Sequence, residues 1–260
     1  MSMIDLHYDD TTKLAEVVLN APNKLNSLDA NDLDELQARI QKAAECGAKA
    51  LLLRGEGRAF CAGRDIAKVD PATDDVAGYL EGRVTAVMQA LSSFPAPTFA
   101  SVHGACLGVG LGLALACDVV YVAEKAKLGS PFANLGATLD SGGHWLFTER
   151  LGTHRTLDLI YTAEFMSGRE AVEQGLFSRW VADDELLEFT QERATRAASG
   201  AQLAFAASKQ LVQEIRDQRI GMWESIAHEN AAQAQLCSSA DYAEGFAAFQ
   251  QKRAPKFEGR

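Results

Sequence analysis

Between residues 98 and 123 the chain reads TFASV, then HGACLGVGLGLALACD, then VVYVA. No other segment restricts the fold as much. The two outer runs are short, apolar and bounded by turn-forming residues, which reads as a pair of buried strands. Glycine recurs between them at Gly104, Gly108, Gly110 and Gly112 before the run becomes LALAC. A helix whose first half lacks side chains lets neighbouring backbone come close. Strand, glycine-rich helix, strand is the pattern of an α/β layer fold. The apolar stretch from Ala105 to Ala116 is too short to span a bilayer.

The flanks extend this pattern. Residues 3–8 and 13–20 read as two extended segments, with Asp9, Asp10 and Thr11 as a turn. The stretch before Asp29 is loop-like. From Leu33 onward Leu36, Ile40 and Ala43 recur at helical spacing, and Gly47 stops the helix. Residues 49–54 form a buried strand and 74–92 a helix, set off by Pro95 and Pro97. Residues 142–175 read as short helices with turns at Gly152 and at Ser167 and Gly168, and 177–181 as a strand. After Asp183 the pattern is helical only, over 184–198, 202–216, 221–236 and 240–251. These alanine-rich helices suggest packing against a partner subunit. A chain of 260 residues is long enough for one large domain with a small appendage.

Charge and cysteine usage narrow the function classes. The formal charge is −10, which argues against nucleic acid, whose backbone is bound by basic surfaces. An anionic small ligand remains compatible, because backbone N–H groups and a few lysines can hold phosphates. The opening residues MSMIDLHYDD carry neither a basic start nor a long apolar run, so the expectation is a soluble, cytoplasmic protein. The five cysteines are widely spaced with no C-x-x-C pair, which fits free thiols in a reducing compartment. No H-E-x-x-H occurs, and no metal is expected.

Three segments could carry chemistry. Phe60–Asp65, FCAGRD, places Gly63 at a bend that can expose an N–H. The glycine-rich turn opening the central helix presents unpaired N–H groups at its start. Two such groups converging on one point would form an oxyanion hole. Small residues at this spacing can equally serve close helix packing. The third segment is Leu139–Gly143, LDSGG. Asp140 either caps the following helix or acts as a base whose pKa is raised in an apolar pocket. Gly108 and Gly110 do not continue as G-x-G-x-x-G, and no G-K-[ST] occurs, so neither nucleotide-binding loop is present.

Taken together, NAPNKLNSLD, GRAFCAGRDI, the run from PAPTFASVHGACLGVGLGLALACD to NLG, and EGFAAFQQKRAPKF resemble the enoyl-CoA hydratase/isomerase (crotonase) superfamily, in order and over essentially the whole chain. The resemblance implies an α/β fold: a crotonase-like β-β-α spiral core over residues 1–200 with a C-terminal helical trimerisation region over 201–260. It implies an acyl-CoA substrate, with coenzyme A as part of that substrate and no separate cofactor. It also implies a homotrimer or dimer of trimers, without nucleic acid or membrane. The amides of Arg64 and Val109 match the pair that binds the thioester oxygen. Backbone around Lys24, Leu25, Ala62 and Ile66 matches the CoA-binding loops, and Lys252 or Lys256 matches a contact to the nucleotide phosphate; each lysine could also be an ordinary surface charge.

The departures from the pattern matter as much. The two hydratase glutamates match Gly112 and Phe132, so both carboxylates are missing. Asp140 matches the aspartate of dienoyl-CoA isomerases and, with its DSGG run, of phenylacetate-pathway ring-epoxide isomerases. One carboxylate suffices for a 1,3-proton shift. The expectation is therefore an acyl-CoA isomerase. Hydratase-like or hydrolase activity, and non-catalytic acyl-CoA binding, are the alternatives. Glu81 on the helix after the first oxyanion loop, His144 four residues after Asp140, His103 and Cys61 are secondary candidates.

Overall fold

The computed structural model describes residues 3–67 and 69–260. Strands β1 (Ile4–Asp9) and β2 (Leu14–Leu19) form an antiparallel hairpin. Helix α1 (Ala30–Glu45) leads to β3 (Ala50–Gly55). It begins earlier than its apolar spacing suggests, because Asp29 and Asp32 form a reciprocal capping box that satisfies otherwise orphaned N–H groups. A short α2 (Val76–Tyr79) runs through a π turn (Leu80–Val84) into α3 (Thr85–Ser92).

The central unit comprises β4 (Thr98–Val102), β5 (Ala105–Leu107), α4 (Val109–Ala116), β6 (Val119–Ala123) and β7 (Lys127–Gly129). Next come α5 (Gly143–Thr162), β8 (Met166–Ser167), α6 (Gly168–Glu173) and β9 (Arg179–Val181). Four helices close the chain: α7 (Leu186–Ala198), α8 (Gln202–Gln218), α9 (Met222–Leu236) and α10 (Ala240–Gln250).

The main sheet has the order β1-β2-β3-β4-β6-β9 and is parallel from β2 onward. Its inner strands are buried on both faces, which is why they read as continuous apolar runs. A smaller sheet, β5-β7-β8, stands beside it. Those three strands were not apparent from the sequence, since two or three residues are too few to show alternation. All of α4 except Ala116 is buried, so it is a core helix rather than an amphipathic one. Helices α8 to α10 bury little: only Ser225, Asp241 and Ala248 are buried among them, while Val212, Met222, Trp223, Phe246 and Phe249 are more than half exposed. Among the described residues no helix is long and apolar enough to cross a membrane.

Candidate active site

Two loops are stitched in parallel. The Phe60 N–H donates to His103 O (2.8 Å), Cys61 N–H to Ala105 O (3.0 Å), and Leu107 N–H to Cys61 O (2.9 Å). Cys61 thus pairs with Cys106. Arg64 and Val109 each lie three residues beyond this pairing, in the same direction. A Cβ on Gly63 would fall 2.9 Å from Leu107 O and 3.8 Å from the Gly108 Cα, so the two loops remain in contact up to the candidate amides.

Among the described residues neither N–H group makes a backbone hydrogen bond, for a physical reason. Leu28 donates to Gly63 O and accepts from Asp65 N–H, each at 2.9 Å, so it grips the backbone on either side of Arg64 and turns the Arg64 amide the other way. Val109 is the first residue of α4, and the first-turn N–H groups of a helix have no intrahelical acceptor. Gly108 before it has φ 50° and ψ −120°, a conformation open to glycine. The positive end of the α4 dipole adds to the pull on a negative oxygen.

Asp140 comes to the same place. A Cβ on Gly112, one turn into α4, would lie 2.5 Å from Ser141 Cβ and 2.8 Å from Ser141 O. The position of the first hydratase glutamate is therefore filled by the backbone next to Asp140. The second, Phe132, puts its ring edge 3.3 Å from where a Gly108 Cβ would be. The Asp140 carboxylate accepts from Ser141 Oγ at 2.8 Å. Burial pushes its pKa above the ordinary 3.8, against the opposing pulls of the Ser141 hydroxyl and the Arg64 charge. It does not cap α5, whose N-cap is Gly142 with no side-chain bond. The structure thus brings Arg64, Val109 and Asp140 together around one corner of α4.

The other candidates are engaged elsewhere, exposed or, in the case of Cys61, buried within the loop contact itself. His144 Nε2 meets the Thr138 hydroxyl at 3.2 Å rather than Asp140. Glu81 is exposed on the π turn. His103 Nε2 bonds Gly57 O at 2.9 Å. Burial pushes the Cys61 thiol up to about 12, so it is no nucleophile near neutrality.

At the expected CoA loops, Ala62 N–H donates to Leu25 O at 2.9 Å, and Leu25 is left-handed with φ 53°. Ile66 is 53% exposed. Lys24 is already paired with Asp32 (2.6 Å) and Asp65 (3.6 Å), so its charge is largely spent within the chain. Lys252 and Lys256 are exposed beyond α10, and no bond or ion pair among the described residues ties either side chain to these loops. One residue was overlooked in the sequence. Asn26 is 1% exposed; its Oδ1 accepts from Ala21 N–H (2.8 Å), and its Nδ2 donates to Glu56 O (2.9 Å) and Ala59 O (2.7 Å). It clamps the 21–28 loop onto the turn after β3 that leads to Arg64. Among the described residues no group of three His, Cys, Asp or Glu is placed to hold a metal.

This fold and this pairing of loops define a class, and comparison with known proteins gives its name. The family model for enoyl-CoA hydratase/isomerase matches residues 9–260. The chain belongs to that family and is an enzyme of it. It is 34% identical over 260 residues to a probable enoyl-CoA hydratase of Rhodobacter capsulatus, covering all of both chains. It is 32% identical over 256 residues to the 1,2-epoxyphenylacetyl-CoA isomerase of Escherichia coli, covering 94% of each. The crystal structure of an enoyl-CoA hydratase from Bacillus anthracis superposes with a TM-score of 0.90 at 29% identity, over 99% of this chain and 100% of that one. The expected special closeness to phenylacetate-pathway isomerases is not established, since the identities are alike. Hydratase is also the commoner name among the relatives, which favours the alternative reading over isomerisation.

Proposed function

We propose that the chain shifts a double bond in an acyl-CoA thioester, from 3-enoyl to 2-enoyl, or performs a related ring-epoxide isomerisation. In the first case Asp140 takes the proton from C2, and the C2–H electron pair spreads onto the thioester oxygen. The Arg64 and Val109 amides hold that oxygen. The protonated Asp140 then returns its proton to C4, leaving the double bond between C2 and C3. A raised pKa suits a group that must take and return a proton near neutrality. Oxyanion donors are each worth about 10²–10³-fold in rate.

The observation that carries this reading is the packing at Gly112. No side chain fits there, so the chain cannot present the first hydratase glutamate, and the loop that packs against α4 at this point carries Asp140 beside Ser141. Hydration is the second reading, favoured by the relatives' names; it would rely on this single carboxylate to activate water. Backbone at Leu25 and Ala62, with Ile66 and Lys24 beside it, is our candidate CoA cradle. Lys252 would have to reach the nucleotide across a subunit boundary. The exposed apolar surface of α8 to α10 supports assembly through residues 201–260 onto the 1–200 core of neighbouring copies, which native mass measurement tests.

The chemical test uses two substrates. Incubated with a 3-enoyl-CoA in deuterated water, the enzyme should yield the 2-enoyl-CoA, with deuterium at C4 in the fraction of turnovers in which the protonated Asp140 exchanges with solvent before it delivers its proton. A 2-enoyl-CoA in ¹⁸O-water should gain little label. Rapid formation of labelled 3-hydroxyacyl-CoA would establish the hydratase reading instead, and release of free thiol would point to hydrolysis.

A further inference from the structure

The chemistry above uses only the amide of Arg64. Its side chain is held separately and at several points. Asp74 accepts from Nη1 at 2.8 Å and from Nη2 at 2.5 Å. The guanidinium carbon lies 4.1 Å from the centre of the Tyr79 ring. The Tyr79 hydroxyl donates to Leu28 O at 3.0 Å, the same carbonyl that accepts from Asp65 N–H. The circuit closes, since Leu28 grips the backbone around Arg64, Arg64 stacks on Tyr79, and Tyr79 returns to Leu28. The Arg64 and Asp74 side chains are only 22% and 14% exposed, and such a forked pair is stronger than one freely solvated. Asp140 and Arg64 act on each other electrostatically, and Tyr79 feels both.

We propose that Arg64, Asp74 and Tyr79 form a charge clamp that ties the 74–79 segment to the oxyanion loop and holds a partly neutralised guanidinium within electrostatic range of Asp140. Arg64 is thereby a positioning residue through its side chain, in addition to what its amide does. The groups acting on Asp140 are the Ser141 hydroxyl and Arg64. Tyr79 is neutral near pH 7 because burial raises its pKa, and Cys61 and Asp29 act on it. Asp74 is the counter-charge on Arg64. Arg64 favours the charged form of Asp140, and Asp74 limits how strongly.

The effect on turnover rests on the acid/base reading of Asp140, but the clamp itself is tested without turnover. The test is a ¹³C carboxyl titration of the free, full-length enzyme, with the Asp140 signal assigned by its absence in Asp140→Asn. Arg64→Gln removes the positive charge, so the titration should move up by roughly half a pH unit, a size in keeping with a neighbouring unit charge at the margin of a protein. Asp74→Asn leaves Arg64 uncompensated, so the titration should move down. The acid limb of kcat/KM should follow in the same two directions. Should Asp74→Asn not fold, Arg64→Lys replaces it: with the charge kept and the fork lost, Asp140 must titrate below its value in Arg64→Gln. Shifts in one common direction, or none, would overturn the clamp. An active Asp140→Asn would refute the base assignment alone, because the carboxyl titration still decides the clamp.

Discussion

Replacing Gly112 with alanine tests whether the central helix and the Asp140 loop are fitted to each other. The new methyl would sit 2.5 Å from Ser141 Cβ and 2.8 Å from Ser141 O, against the ~3.5–4.0 Å of an ordinary carbon contact. One of those atoms is backbone, so the clash cannot be relieved by a rotamer change. Overpacking of this kind costs about 1–3 kcal/mol, and the better helix propensity of alanine returns roughly 1 kcal/mol. The net loss of up to about 2 kcal/mol lowers Tm by up to roughly 8 °C in a chain of this size. Gly82 is the control: it lies on the π turn with nothing within 4 Å of an added Cβ, so Gly82→Ala should be neutral or slightly stabilising. Moving Ser141 also moves Asp140, and a shift of about 1 Å at a reacting group can cost 10²-fold. Calorimetry and turnover on both variants check this. Gly112→Ala with unchanged Tm and unchanged activity would refute the packing argument for the missing glutamate.

Three further outcomes follow from single residues. The raised pKa of Asp140 means the folded state pays to ionise it; below about pH 3.8 both states are protonated and the cost is absent, and it appears as pH rises through the folded value. Asp140→Asn should therefore have a higher Tm than wild type at pH 7 and no advantage near pH 3.5, as thermal melts across pH would show. Asn26→Ala strips three hydrogen bonds, two of them buried and one part-buried, and should cost about 2–4 kcal/mol, at roughly 1 kcal/mol or more for each polar group left without a partner; denaturant unfolding measures it. Cys61, Cys106 and Cys117 are buried and Cys237 is exposed, so timed alkylation of the native enzyme followed by mass spectrometry should modify Cys237 first and leave the three buried thiols intact.

What could be read from the sequence was what a short window encodes. The strands at 98–102 and 119–123 and the glycine-rich start of α4 were visible because burial on both faces writes apolar runs and close approach writes glycine. Asp140 and the two candidate oxyanion amides stood out only through their motifs, since the pairing of Cys61 with Cys106 that brings the loops together leaves no local pattern. The strands β5, β7 and β8 exist through pairing alone. The start of α1 was placed too late because Asp29 and Asp32 determine it from outside the apolar repeat. Helical spacing put His144 on the face of Asp140, but the left-handed Ser141 and Gly142 break the helix between them, and His144 turns to Thr138. The importance of Asn26 and of the Arg64 side chain comes from partners 10 to 33 residues away, which no local window shows.

The most direct test of the account compares wild type with Asp140→Asn on a 3-enoyl-CoA in deuterated water, following deuterium entry at C4 and conversion to the 2-enoyl product together. Asparagine keeps the size of the side chain and removes the base. General acid–base catalysis is worth about 10²–10⁴-fold, so both exchange and conversion should fall by that order, while acyl-CoA affinity should stay near wild type because the proposed CoA cradle does not include Asp140. Exchange and conversion at the wild-type rate in Asp140→Asn would contradict the assignment of Asp140 as the acid/base.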